Sequence, residues 1–190
     1  MRLNVIFKMS SILCLILFWL VLLTGVFAIT SNASYIWWPD SSFTTTLGQF
    51  EPLYLYMTLD FDQQPELYTD KSFMVLTLLF NVVLFLFVLS FLWLMYKFLK
   101  NVYADSLFMY GNVSVLFRMG LTFAVLGSAT TYMDGLLFSK ALTALDISNA
   151  SIAFSNIAYV DFIIAGIVFI VIASALRTAV NAVEENKKTI

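Results

Sequence analysis

With 190 residues, 61% of them hydrophobic and 12% charged, the chain carries about half the charge of an ordinary soluble domain. Its mean hydropathy of +0.90 places much of that length in lipid, as one domain rather than two. A net charge of −2 leaves no basic surface for nucleic acid, and with no histidine and a single cysteine, Cys14, the chain has no intrachain disulfide, Cys/His zinc site or histidine-based acid–base catalysis.

Met1 to Ser10 carries Arg2 and Lys8, and the run Ile12–Thr30 follows without a charge. At ~1.5 Å per residue that run crosses a hydrocarbon core of ~30 Å. Its apolar core exceeds the ~7–15 residues of a signal peptide, so it reads as an uncleaved anchor rather than a leader cut near Ser31-Asn32-Ala33. Cys14 lies inside the run as a small packing or lipid-facing residue. The preceding Ser11-Ile12-Leu13 is a poor lipoprotein box.

Ser31–Ser72 is the one long hydrophilic segment, with Asp40, Glu51, Asp60, Asp62, Glu66 and Asp70 set against Lys71 alone. Leu53, Leu55, Met57, Leu59 and Phe61 on one side alternate with Tyr54, Tyr56, Thr58, Asp60 and Asp62 on the other, a weak strand signal. Trp37 and Trp38 fall where interfacial aromatic belts sit and read as anchors ahead of a ligand platform.

Phe73–Tyr96 is the strongest span, closed by Lys97 and Lys100; its polar interior residue, Asn81, is expected to hydrogen-bond a neighbouring helix. Asn101–Phe117 is too polar to span and reads as a short surface helix or turn, directing Leu107, Phe108, Val113, Leu116 and Phe117 into the bilayer or the bundle. Met119–Ser139 is the third span, Lys140–Asn156 a polar connection containing Asp146, and Ile157–Leu176 the fourth span. The charged tail Arg177–Ile190 continues the last helix for some turns. The expected fold class is therefore an all-α, four-transmembrane-helix bundle in a single domain over residues 1–190.

Of the 10 basic residues, Arg2, Lys8, Lys97, Lys100, Arg118, Arg177, Lys187 and Lys188 fall on one side and only Lys71 and Lys140 on the other. The positive-inside bias puts both termini in the cytoplasm and the acidic loop outside. The sequons at Asn32, Asn112 and Asn149 carry little weight, because the pattern is common by chance.

The third span is rich in small residues, which let helix backbones approach in lipid. Gly120, Ala124, Gly127, Thr131 and Asp134 share one face by helical spacing, as do Ala158, Asp161 and Ala165 on the fourth span. Asp134 and Asp161 lie within ~6–8 Å of the outer helix ends. If the two faces meet, the carboxylates approach, and could share a proton or hold a cation. The plainer reading, which we favour, has each carboxylate reaching interfacial water or Lys140. Arg118 reads as snorkelling to headgroups. Neither a nucleophile–base pair nor a phosphate-loop or metalloprotease motif occurs, so an enzyme is the least favoured class.

The segment Phe108-Met-Tyr-Gly-Asn112-Val113-Ser-Val-Leu116-Phe-Arg118-Met-Gly120 resembles the start of the third helix in the DUF2975 family of bacterial four-span membrane proteins. Phe108, Asn112, Val113 and Leu116 fall in place, while the arginine comes one position late and the glycine one position early. The end, Val183-Glu184-Glu185-Asn186-Lys187-Lys188-Thr189-Ile190, resembles the family's tail, with lysine where an acid is usual. The resemblance implies a bacterial inner-membrane location and, from the regulators often encoded beside such proteins, a regulatory module. The expected role is a non-catalytic membrane protein acting through a protein partner or as a homo-oligomer, without cofactors. Arg118, Trp37, Trp38, Glu185 and Asn186 are its candidate partner or lipid contacts. The alternative is a small oligomeric transporter or channel using Asp134 and Asp161, with Asn81 as a further polar site.

Overall fold

The computed structural model of the chain describes residues 2–55, 58, 59, 61, 63–104, 106–145 and 157–188, the side chains of Arg2 and Leu3 excepted. Four rods long and apolar enough to cross a membrane dominate it. Helix α1 spans Arg2–Trp37, with 36 residues. Helix α3 spans Lys71–Ala104, with 34. The third rod joins α4 (Tyr110–Thr122), a π turn (Phe123–Gly127) and α5 (Ser128–Leu142). Helix α6 spans Tyr159–Lys188, with 30 residues. At ~1.5 Å per residue each rod exceeds a ~30 Å hydrocarbon core, so the rods tilt or project beyond it.

Helix α3, the α4–α5 rod and α6 pack together, Phe87 of α3 meeting Phe162 of α6 at 5.6 Å, and α1 packs on the far side of α3. Successive rods run antiparallel. Phe18 meets Trp93, and Gly25 faces Phe85. Tyr110 reaches Asn181 at one end of the rod, and Ser128 reaches Tyr159 nearer the other. α1 sits at the edge, with Leu13, Trp19, Leu23 and Phe27 exposed. An apolar flank of that length is stable only in lipid, where leucine has nothing to gain by leaving its surroundings.

Polar side chains in the spans answer the same solvent. The hydroxyls of Thr30, Ser31, Thr77, Thr130 and Thr131 each donate to the carbonyl four residues back. The Asn32 amide does the same to Ala28. Such bonds satisfy a polar group inside its own helix where no water is available.

Two buried clusters bracket an aromatic middle. At the end carrying the termini, Leu94, Val115, Leu116, Met119 and Ala173 pack together. At the other end Phe73, Phe80, Leu137, Phe138 and Ala141 join Phe50, Tyr54 and Tyr68 of the long loop. Between them Phe123 packs against Phe87, Phe91, Phe162 and Phe169, with ring centroids 5.3–5.9 Å apart.

The long loop holds the short helix α2 (Ser42–Leu47) and a 3-10 turn, Glu66–Thr69. Ser41 caps α2 by accepting the Thr44 N–H, and Gly48, at φ 85°, ends it. Asp70 caps α3, its carboxylate accepting the Ser72 N–H at 3.0 Å and the Ser72 hydroxyl at 2.6 Å. These two bonds, the hydroxyl's first, hold the Asp70 carboxyl below the usual carboxylate range, and the charge of Lys140 adds to them.

Three expectations are corrected. The alternating run Leu53–Asp62 is not a strand at any described residue, and Tyr56, Met57, Asp60 and Asp62 lie outside the described residues. Within that run Tyr54 is buried while Leu53 and Leu55 are exposed, because the ring has Phe138 to pack on and its hydroxyl has Tyr68 as a partner. Second, no separate surface helix precedes the third span. The third rod begins at Tyr110 and runs unbroken to Leu142, so Leu116 is core and Arg118 lies well inside a helix. Third, α6 meets the rod at Phe162, Gly166 and Ile170, and Asp161 is exposed, so the condition under which the two carboxylates would approach is not met. The connection carrying Asp146 and the Asn149 sequon lies outside the described residues.

Candidate functional site

The third rod turns its small residues to α6 over α4 and the π turn and at the first turn of α5, where Ser128 reaches Tyr159, but no longer at Asp134. Gly120 and Gly166 cross so closely that a Cβ built on either would lie 2.6–2.7 Å from the other's carbonyl oxygen. In a straight α-helix, at about 100° per residue, Gly120 and Asp134 would fall within about 40° of one another. The π turn supplies one extra residue between them and rotates the whole of α5 by about another 100°. Asp134 therefore leaves the α6 face and joins Leu137, Phe138 and Ala141 against α3 and the long loop.

There Asp134 is only 4% exposed, and its Oδ1 accepts the Leu55 N–H at 2.9 Å, across 79 residues of sequence. A buried carboxylate costs free energy unless it is hydrogen-bonded, and a lone backbone N–H costs free energy in the same way. Each group answers the other. The bond fastens the loop to the bundle.

Aromatic packing surrounds the latch. The Tyr54 ring meets Phe138 edge-on at 5.7 Å and its hydroxyl lies 3.1 Å from that of Tyr68. Tyr68 in turn stacks on Phe73, the first buried residue of α3, at 5.6 Å. Phe50 packs against Tyr35 and Tyr68, and its carbonyl accepts the Gln64 amide at 3.1 Å. Burial, then the Tyr68 bond, push the Tyr54 hydroxyl far above the usual phenol range; burial also raises Tyr68. Both phenols stay neutral at any physiological pH and act as a donor–acceptor pair. The loop is a folded cap rather than a tether.

The structure separates the two candidate carboxylates by environment. Asp161 is exposed in the first turn of α6, where a negative charge suits the helix dipole, and no hydrogen bond joins it to Asp134. Asn81 is half-buried on α3, and among the described residues its side chain makes no interhelical hydrogen bond. Arg118 is exposed, as are Trp37, at the last turn of α1, and Trp38 just beyond it. Glu185 and Asn186 are exposed near the end of α6. Among the described residues no group of three or more His, Cys, Asp or Glu is placed to hold a metal ion.

A second polar knot, at the termini end, went unread in the sequence. Asn112 is fully buried; its amide donates to the Ser106 and Leu107 carbonyls, at 2.9 and 3.0 Å, and its oxygen accepts from Asn101 at 3.0 Å. One side chain thus closes the α3–α4 turn. Nearby, the Tyr110 hydroxyl donates to Asn181 at 2.7 Å and holds α6 in line where it leaves the apolar run. The signal for Asn112 was present as a motif residue, but a sequence does not say that the turn needs a buried amide. No protein-family model matches the chain, and no curated protein or solved structure matches it.

Proposed function

We propose that this chain is a non-catalytic integral membrane protein that works by contacting another protein, in a regulatory, accessory or immunity-type role. The observation that carries the reading is the cap: Asp134 holds the long loop in one shape, and a preformed surface is what a protein partner recognises at low entropic cost. The exposed, charged turns of α6 from Arg177 to Lys188, kept helical and in register by Tyr110–Asn181, offer a second handle. The bias of basic residues supports a bacterial cytoplasmic membrane location, both termini inside and the cap outside. Kinship with the DUF2975 family fits the buried role of Asn112 and the core position of Leu116. The transport alternative keeps one supporting observation, a buried carboxylate in a membrane helix. The occupation of Asp134 by Leu55 and the exposure of Asp161 favour the contact reading.

A photo-crosslinking residue placed at Leu53 or at Glu184 in the full chain separates the readings in living cells. One discrete adduct with a different protein is expected. Adducts with this chain alone would replace the partner by a homo-oligomer, and none at either position would remove the contact reading. Cation flux in liposomes that disappears in both Asp134→Asn and Asp161→Asn would establish the transport alternative instead.

A further inference from the structure

Helix α3 leaves its apolar run through Trp93, Tyr96, Lys97 and Lys100, which helical spacing sets on one stripe. The Lys97 ammonium lies 5.2 Å from the Trp93 ring centroid, and the Lys100 ammonium 5.7 Å from that of Tyr96. The two rings are neighbours, tilted by 34° with centroids 5.5 Å apart. Both lysines therefore lean back towards the middle of the span, whereas a lysine at a helix end ordinarily snorkels away from it. Trp93 is 39% exposed, Lys100 is exposed, and Tyr96 and Lys97 are half-buried, so the stripe is open to its surroundings. Two like charges thus stand side by side, and neither ammonium forms an ion pair with a described residue. The sequence supplies no acid before Asp40, from Lys71 to Ala104, from Ser106 to Met133 or from Phe162 to Val183. Asp105, the residue after α3, lies outside the described residues.

Depth decides which anion fits. Trp93 lies about 16 Å along α3 from its end at Ala104, and Leu94 beside it belongs to a buried apolar cluster. Centred on this helix, the ~20 residues that cross the hydrocarbon end near Lys97. The contacts Asn101–Asn112 and Phe91–Phe123 set Arg118, a further exposed cation, level with Met95. A soluble anion or an acidic peptide would have to shed its water to reach that depth, where a phospholipid phosphate already lies. We infer that Lys97 and Lys100 form a site for an anionic phospholipid. Its phosphate accepts hydrogen bonds from both ammoniums, and its chains lie along the apolar surface of α1 and α3. The rings hold the ammoniums in place beforehand, so little side-chain freedom is lost on binding. A zwitterionic lipid carries its own cation beside the phosphate and offsets less of the repulsion. The inference stands apart from the protein-contact reading: a chain that crosslinks to no other protein would retain it.

The test is quenching of Trp93 fluorescence by brominated lipids in the full chain, reconstituted in phosphatidylcholine. Trp19→Phe, Trp37→Phe and Trp38→Phe leave Trp93 as the reporter. Brominated phosphatidylglycerol is expected to bind beside Trp93 about tenfold more tightly than brominated phosphatidylcholine. Lys100→Gln should lower that preference about threefold, and Lys97→Gln with Lys100→Gln should abolish it. Lys97→Arg with Lys100→Arg keeps the charge and should keep most of the preference. Lys187→Gln with Lys188→Gln removes the same charge from the same end of the molecule and should leave the preference as it was. Soluble glycerol phosphate should not displace the brominated lipid. Equal binding of the two lipids in the parent, a preference that survives Lys97→Gln with Lys100→Gln, an equal loss in both glutamine pairs, or displacement by glycerol phosphate would overturn the proposal.

Discussion

Asp134→Leu is expected to release the cap while the four helices still insert. The substitution removes the acceptor of the Leu55 N–H and leaves the rest of α5 apolar and helical. A hydrogen bond to a charged group contributes about 1.5–3 kcal/mol, so the opening equilibrium of the loop should rise about ten- to a hundredfold. Tyr54, buried in the closed cap, then becomes accessible. Chymotrypsin should cut at Tyr54 or Leu55 faster by that factor, with the amount of protein in the membrane unchanged. Asp134→Asn keeps a carbonyl acceptor in place and should lose only about 1 kcal/mol. Equal protease resistance of the parent and both variants would mean that the cap is held by its aromatic packing alone.

The second large effect is expected at the α4–α6 crossing. A Cβ on Gly166 would lie 2.6 Å from the Gly120 carbonyl oxygen and 2.8 Å from the Ala124 methyl. The nearest obstruction is backbone, which no rotamer change relieves, so Gly166→Leu must push the helices apart along their whole contact. Overpacking costs about 1–3 kcal/mol, and the separation also loosens Phe162 from Phe123 and Ala173 from Met119. A clear fall in the thermal midpoint of the detergent-solubilised protein is the expected readout. Gly111→Ala is the control: Gly111 is exposed, and the nearest atom its Cβ would meet is the flexible Met109 methyl at 3.2 Å. A G166L protein that melts with the parent would contradict close contact between these helices.

Much of the architecture was legible because lipid imposes a simple rule. A backbone that crosses it must bond internally, so length and hydropathy reveal the spans. The small face of the third rod could be read from Gly120 and Ala124 for the same reason. Its counterpart on α6 could not. Ala158, Asp161 and Ala165, spaced by 3 and 4, form as regular a helical stripe as Phe162, Gly166 and Ile170, spaced by 4 and 4, and the close crossing at Gly166 with the stacking of Phe162 on Phe123 selects between them. The environment of Asp134 was hidden more deeply. A π turn has no sequence signature comparable to proline, yet its extra residue rotates the whole of α5. The tyrosines of the cap misled in a different way. Tyr54 reads as the polar member of an alternating run, and it is buried only because Tyr68, 14 residues on, supplies its hydroxyl with a partner.

The most direct measurement is residue-resolved hydrogen exchange of the Leu55 amide in nanodiscs. Bonded to a buried carboxylate, that amide is expected to exchange slowly in the parent protein and at least about tenfold faster in Asp134→Leu. Rapid exchange at Leu55 in the parent, matching that of an exposed loop amide, would contradict a cap latched to the third membrane rod.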